Sequence, residues 1–187
     1  SGGDLFKQNV AEAKKLLAQA GYPNGRGLPP IRYTYNDLQM HRTIGEALQR
    51  MWLENLGARV QLQVQEYKVY IQNLHASNFQ MMRAGWIGDF IDPTAFLDMF
   101  ETGAGNNNFN YSSEVFDSLL RKSRQITDTA ERVSTLRQAE KKLIAEDMAV
   151  IPLFFYVNHY LQKPQVKGVV RNPTGTLDFR NAYVEGK

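Results

Sequence analysis

The 187 residues carry a net charge of +3, from 22 Lys and Arg against 19 Asp and Glu, and 43% of them are hydrophobic, including ten Phe, nine Tyr and two Trp. This is enough chain and apolar bulk for one domain of ordinary size, or one domain with an appended tail, and the mild, mixed charge leaves no electrostatic footprint for nucleic acid. With no cysteine, disulfides, thiolate nucleophiles and thiolate metal sites are excluded, and no apolar run approaches the roughly 20 residues that a bilayer-spanning helix needs.

Ser1, Gly2 and Gly3 read as a cloning scar with no secretory signal behind them, so the natural start of the protein is expected to be missing. Residues 4–20 place Val10, Ala13, Leu16, Leu17 and Ala20 on one stripe of a surface helix that Gly21 and Pro23 end. A Pro and Gly loop over 23–30 leads into a strand at 31–36, rich in β-branched and aromatic residues. Ile44, Leu48, Met51, Trp52 and Leu56 then follow helical spacing up to Gly57. Val60, Leu62 and Val64 alternate with glutamines as a strand with one wet face does.

A short helix is predicted at 67–75 and a buried strand at 79–86, broken by Gly85 and Gly88. Residues 94–100 suit one or two helical turns, and 102–110 form a Gly and Asn loop. Two helices follow at 113–127 and 128–147, the second with an acidic first turn that suits the helix dipole. Residues 149–156 are the most strand-like run of the chain, and 160–170 read as a further extended segment. The tail from Asn158 to the end, with Pro164 and Pro173, has weaker periodicity and reads as part of a different unit. Helices alternating with strands predict an α/β (α+β) fold, a mixed β-sheet flanked by helices.

The most unusual stretch is 83–94, RAGWIGDFIDPT, where a predicted strand ends in a glycine-flanked loop bearing a Trp and two carboxylates. Loops held at the end of a rigid strand are favoured places for binding groups. Without a Cβ, Gly85 and Gly88 would let a ligand backbone approach, so peptide groups around Trp86 could pair with an extended peptide whatever its side chains. Asp89 would then meet an α-ammonium. At about 3 Å and an effective dielectric of about 20 the attraction is of order 5 kcal/mol before desolvation, enough to set register. The plainer reading makes Asp89 and Asp92 turn formers, with Asp92 bonding the backbone ahead of Pro93. Arg83 is either a bidentate partner for a carboxylate or half of an internal ion pair. His41, near the start of the Trp52 helix, either senses a carboxylate or is simply exposed.

Other chemistry is poorly supported. His75 and His159 are isolated, and no His-x-x-x-His spacing suggests zinc. Gly103-Ala104-Gly105 does not continue into a dinucleotide or phosphate loop, and Ser112-Ser113-Glu114 reads as a helix cap rather than a nucleophile elbow. Tyr33, Tyr35, Phe154, Phe155 and Tyr156 are most simply core, though some of these rings could line a cavity. Neither a cofactor nor a catalytic residue is assigned. A hydrolase using Asp89 with Asp92, or Asp98 with Glu101, is the competing class.

Four stretches carry a resemblance to a known family: AEAKKLLAQAGYP at 11–23, LGARVQLQVQE at 56–66, RAGWIGDFIDPTAF at 83–96 and IPLFFYVN at 151–158. The chain resembles the C-terminal region of the dipeptide and oligopeptide solute-binding proteins that serve bacterial ABC transporters. The resemblance implies one lobe of a two-lobed, hinged periplasmic-binding-protein fold of type II, and a binding protein rather than an enzyme. It implies that Asp89 pairs with a peptide's amino terminus while Gly85, Trp86 and Ile87 pair with its backbone. Arg83 matches an arginine directed at a short peptide's carboxylate, and His41 a position used for longer peptides.

By the same layout, residues 4–157 belong to the C-terminal lobe, incomplete at its start, and 158–187 return to an N-terminal lobe that this chain lacks. The implied partners are a peptide or peptide-like ligand, that missing lobe and a cognate ABC permease. The implied location is the periplasm, or the surface of a Gram-positive cell through a lipid anchor. Relatives on this scaffold also carry nickel chelates, sugars, opines or murein peptides, and a sensor or chaperone lobe is a further use of the fold.

Overall fold

β1 (Ile31–Asn36) is the central strand of a three-stranded sheet ordered β2-β1-β3, with β2 at Val60–Gln65 and β3 at Met81–Met82. These come from a computed structural model that describes residues 8–172 and 174–186. Both neighbours run parallel to β1, placing Tyr33 opposite Leu62 on one side and Met81 on the other. Parallel strands need crossovers, here the helices α2 (Gln39–Leu56) and α3 (Tyr67–His75). A central strand covered in this way loses its wet face, and Tyr33, Thr34, Tyr35 and Asn36 are all buried. Tyr33, Tyr35 and Val60 form the core here, with Leu48, Trp52, Leu62 and Met81 packed against them. Gly45, on α2, lets the helix close on the sheet: a Cβ there would lie 3.2 Å from Leu62 Cδ2 and 3.4 Å from Tyr33 Cε1.

The predicted elements of this first unit, which runs to Gly85 and includes 105–112, mostly coincide with the observed ones. α1 (Val10–Gln19) is shorter than predicted because Asn9 caps it, its side chain accepting from the Glu12 N–H at 3.0 Å. The predicted start at 4–7 and the scar residues 1–3 lie outside the described residues, as do Pro173 and Lys187. α2 ends at Gly57, left-handed at φ 68°. The predicted strand at 79–86 is corrected to two residues, Met81–Met82. Its ladder to β1 ends after the Arg83 N–H donates to the Thr34 carbonyl at 2.8 Å, and the glycines beyond weaken any extension.

The second unit holds residues 86–104 and 113–187. Its helices are α4 (Thr94–Leu97), continued by a 3-10 turn Asp98–Phe100, then α5 (Glu114–Ser123) and α6 (Thr129–Lys141), which a π turn Lys142–Glu146 extends. α5 packs against α6 and the π turn, and Phe116, Leu120, Leu136, Ala139, Leu143 and Ile144 of these elements are all buried. Ser113 and Asp128 cap these helices, accepting from the N–H groups of Phe116 and Glu131 at 3.4 and 2.8 Å. α5 stops before the predicted 127: the Ser123 hydroxyl takes up the Leu120 carbonyl and the Gln125 N–H turns back to Lys122.

In the tail, β4 (Val166–Lys167) pairs antiparallel with β7 (Tyr183–Val184), and β5 (Val170–Arg171) with β6 (Leu177–Asp178), one ribbon nested in the other. Parallel and antiparallel pairing thus both occur, in separate sheets. The strand predicted at 149–156 is not formed. Its composition suits a ladder, but no described strand pairs with it, and Leu153, Phe154, Phe155 and Tyr156 stay exposed, so the expected core role of these three rings is corrected too.

Candidate functional site

The chain passes from the first unit to the second between Gly85 and Trp86, inside the stretch that the sequence singled out. On the first-unit side, Arg83 follows β3 directly. Its backbone is held twice, by the N–H bond to Thr34 and by the Tyr70 hydroxyl, which donates to the Arg83 carbonyl at 2.6 Å. Its guanidinium lies beside Gly85, where a Cβ would meet Nη1 at 3.4 Å.

Of the two readings of His41, the exposed one is corrected: the side chain is buried, 4% exposed, in the first turn of α2. Burial and then the positive charge of Arg83 lower its pKa below the ordinary histidine value. Burial pushes the Tyr33 hydroxyl up to about 12, while Arg83 opposes that shift. Tyr33 Oη and His41 Nδ1 are both buried with no hydrogen-bond partner among the described residues. The charge of Arg83 thus acts on His41, Tyr33 and Tyr70, in a region that also holds these two buried polar atoms. Tyr33 belongs to the core, and nothing in the sequence marks its hydroxyl as one without such a partner.

On the second-unit side, the loop 86–91 is irregular, and Trp86, Ile87 and Asp89 are all exposed, Ile87 by 78%. The indole Nε1–H donates to the Ala95 carbonyl at 2.7 Å. Gly88 makes room for a protein side chain rather than standing open to a ligand, since a Cβ there would lie 2.9 Å from a Phe96 ring carbon. The Asp89 carboxylate has no hydrogen bond or ion pair among the described residues.

Asp92 contrasts sharply with it. One oxygen accepts from the Thr94 N–H and hydroxyl at 3.0 and 2.7 Å, the turn expected ahead of Pro93, and Arg132 of α6 binds both oxygens at 2.7 and 2.9 Å. The Arg132 hydrogen bond holds the Asp92 carboxyl well below the usual carboxylate range. Nothing in the sequence joins Arg132 to Asp92, forty residues earlier.

This geometry bears on acid and base chemistry. Asp92 stays ionised and cannot donate a proton near neutral pH, and Asp98 and Glu101 both accept from Arg124, at 3.2 and 2.6 Å for its Nη2. Among the described residues no cluster of three His, Asp or Glu side chains could hold a metal ion, and no helix is long and apolar enough to cross a membrane.

The profile of the bacterial extracellular solute-binding proteins, family 5 middle region, matches residues 2–108. The chain belongs to this family. Among family 5 proteins, the oligopeptide-binding protein OppA of Bacillus subtilis is 40% identical over 184 residues, covering 95% of this chain and 34% of the relative. The murein tripeptide-binding protein MppA of Escherichia coli superposes with a TM-score of 0.81 at 33% identity, over 94% of this chain and 34% of its own. Haemophilus influenzae OppA, solved in complex with the peptide RPPGFSPFR, gives a TM-score of 0.80 at 31% identity, over 97% of this chain and 38% of its own. The α/β fold is thus that of family 5 binding proteins, and the chain spans about a third of the length of the curated relatives it matches. Those relatives are named as binding proteins, several of them periplasmic.

Proposed function

We propose that this chain forms one wall of the ligand cleft in an extracytoplasmic solute-binding protein that captures peptides and delivers them to an ABC permease, without making or breaking a bond. The carrying observation is the Asp89 carboxylate, exposed on a loop and unpaired by any described residue, three positions from an aspartate that is fully engaged. An unpaired carboxylate on an exposed loop is available to an α-ammonium in a way that Asp92 is not. Peptide groups of Gly85, Trp86 and Ile87 would pair with the ligand backbone, and Arg83 with His41 would meet its carboxylate. That relatives are named for oligopeptides, dipeptides and murein peptides supports the same class of ligand.

On this reading residues 4–157 are the C-terminal lobe and 158–187 return to the other lobe, which closes the trap. The protein would work in the periplasm, or at the cell surface in a Gram-positive organism. The test is titration calorimetry on the full-length protein with one peptide in free-amine and N-acetylated forms. Asp89→Asn should weaken binding of the free-amine peptide roughly tenfold or more, with little effect on the acetylated one. Equal affinity of variant and parent for the free-amine peptide would remove Asp89 from the site, and cleaved peptide in the cell after titration would mean an enzyme.

A further inference from the structure

The loop that bears Trp86 and Asp89 has no regular structure of its own, and the helix that follows it is a single turn, α4. One turn has almost no intrinsic stability, because its few backbone bonds do not repay nucleation. The loop's geometry must therefore be referred to something larger. The Trp86 indole bond to Ala95 and the contact of Gly88 with Phe96 tie the loop only to α4 and its immediate surroundings. Asp92 makes the one described side-chain ion pair between the loop's end and a long helix, through both guanidinium nitrogens of Arg132, while its Oδ1 also holds the N–H and hydroxyl of Thr94. Arg132 stands in the first turn of the thirteen-residue α6, whose Leu136 and Ala139 belong to the buried core of the unit.

We propose that the Arg132–Asp92–Thr94 junction is a positioning device for the ligand loop: it fixes where residues 86–91 leave the core and so where Asp89 is presented. Arg132 touches no ligand and acts through Asp92. A planar guanidinium is required because it grips two carboxylate oxygens at once and so sets an orientation, which a single ammonium does not. The part of this inference that concerns Asp89 rests on the peptide-binding reading; the ordering of the loop does not.

The test uses the full-length protein and the variants Arg132→Met, Arg132→Lys, Asp89→Asn and the Arg132→Met/Asp89→Asn pair. In Arg132→Met, exchange of the hydrogen-bonded amides of Asp92 and 94–97, from which the loop departs, should quicken by roughly tenfold while the α5 and α6 core keeps its protection, with Arg132→Lys in between. Free-amine peptide should bind about tenfold more weakly to Arg132→Met, at unchanged stoichiometry, and Asp89→Asn should lose most of its effect in that background. A loss of active protein would lower the stoichiometry instead, and would not couple the two positions. Unchanged exchange at Asp92 and 94–97, or additive losses in the double variant, overturns the proposal. Should Arg132→Met fail to fold, Arg132→Lys is read by the same two measurements. If Asp89→Asn alone leaves affinity unchanged, the peptide-anchor reading falls, and the exchange data alone decide whether the junction orders the loop.

Discussion

Asp89 and Asp92 are the same residue type in the same loop, and their surroundings give them opposite roles. Asp92 spends its acceptor capacity on Thr94 and Arg132, whereas Asp89 is left to solvent. Such a difference cannot be read from composition, since it depends on a guanidinium forty residues away in the chain. His41 shows the same dependence. Its position at a helix start was legible, but its burial follows from packing within the first unit. Its folded pKa is depressed, so between that value and the unfolded value near 6.5 the unfolded chain binds more protons than the folded one. The stabilisation is therefore complete above about pH 6.5 and is lost as the pH falls below it. Denaturant unfolding at pH 7.5 and pH 5 should show a smaller drop in stability for His41→Asn than for the parent. An equal drop would place the acid sensitivity elsewhere.

Most elements of the first unit were legible because local pattern and long-range packing agree there. β1 coincides with its prediction, and α2 ends at the glycine that the pattern marked. The tightness of that end was not legible. Gly57 is left-handed and a Cβ on it would lie 2.2 Å from the Asn24 carbonyl oxygen, whereas Gly21, at φ +93°, has nothing within 4 Å. Gly21→Ala should thus cost only the left-handed strain, about 1 kcal/mol, and Gly57→Ala that strain plus a backbone displacement, about 2 kcal/mol or more. Urea unfolding of the two variants separates these terms, and equal losses would show that the contact with Asn24 relaxes freely. Where local pattern had no tertiary partner, prediction failed: 79–86 and 149–156 have strand composition, but a strand exists only in a ladder, and ladders are non-local.

For the whole molecule, the consequence is a separation between having the anchor and having the trap. The chain covers about a third of its relatives' length, so on the proposed reading the isolated chain offers one wall and must hold a peptide without enclosure. Most of the entropy lost on binding would then go uncompensated. Calorimetry on the isolated chain is expected to show no peptide binding at micromolar concentration, while the full-length protein binds. Micromolar or tighter binding by the chain alone would refute a two-walled cleft.

The sequence by itself determined the alternation of helices and strands, the cap at Ser113, the glycine stop of α2 and the loop in which Asp89 stands. All of these are local, written in a few consecutive residues. Only the tertiary structure decided that His41 is buried, that Gly88 serves Phe96 and that Arg132 takes Asp92 and leaves Asp89 exposed. Each of these is a contact between residues distant in the chain or a matter of what surrounds a side chain, and neither periodicity nor propensity encodes that.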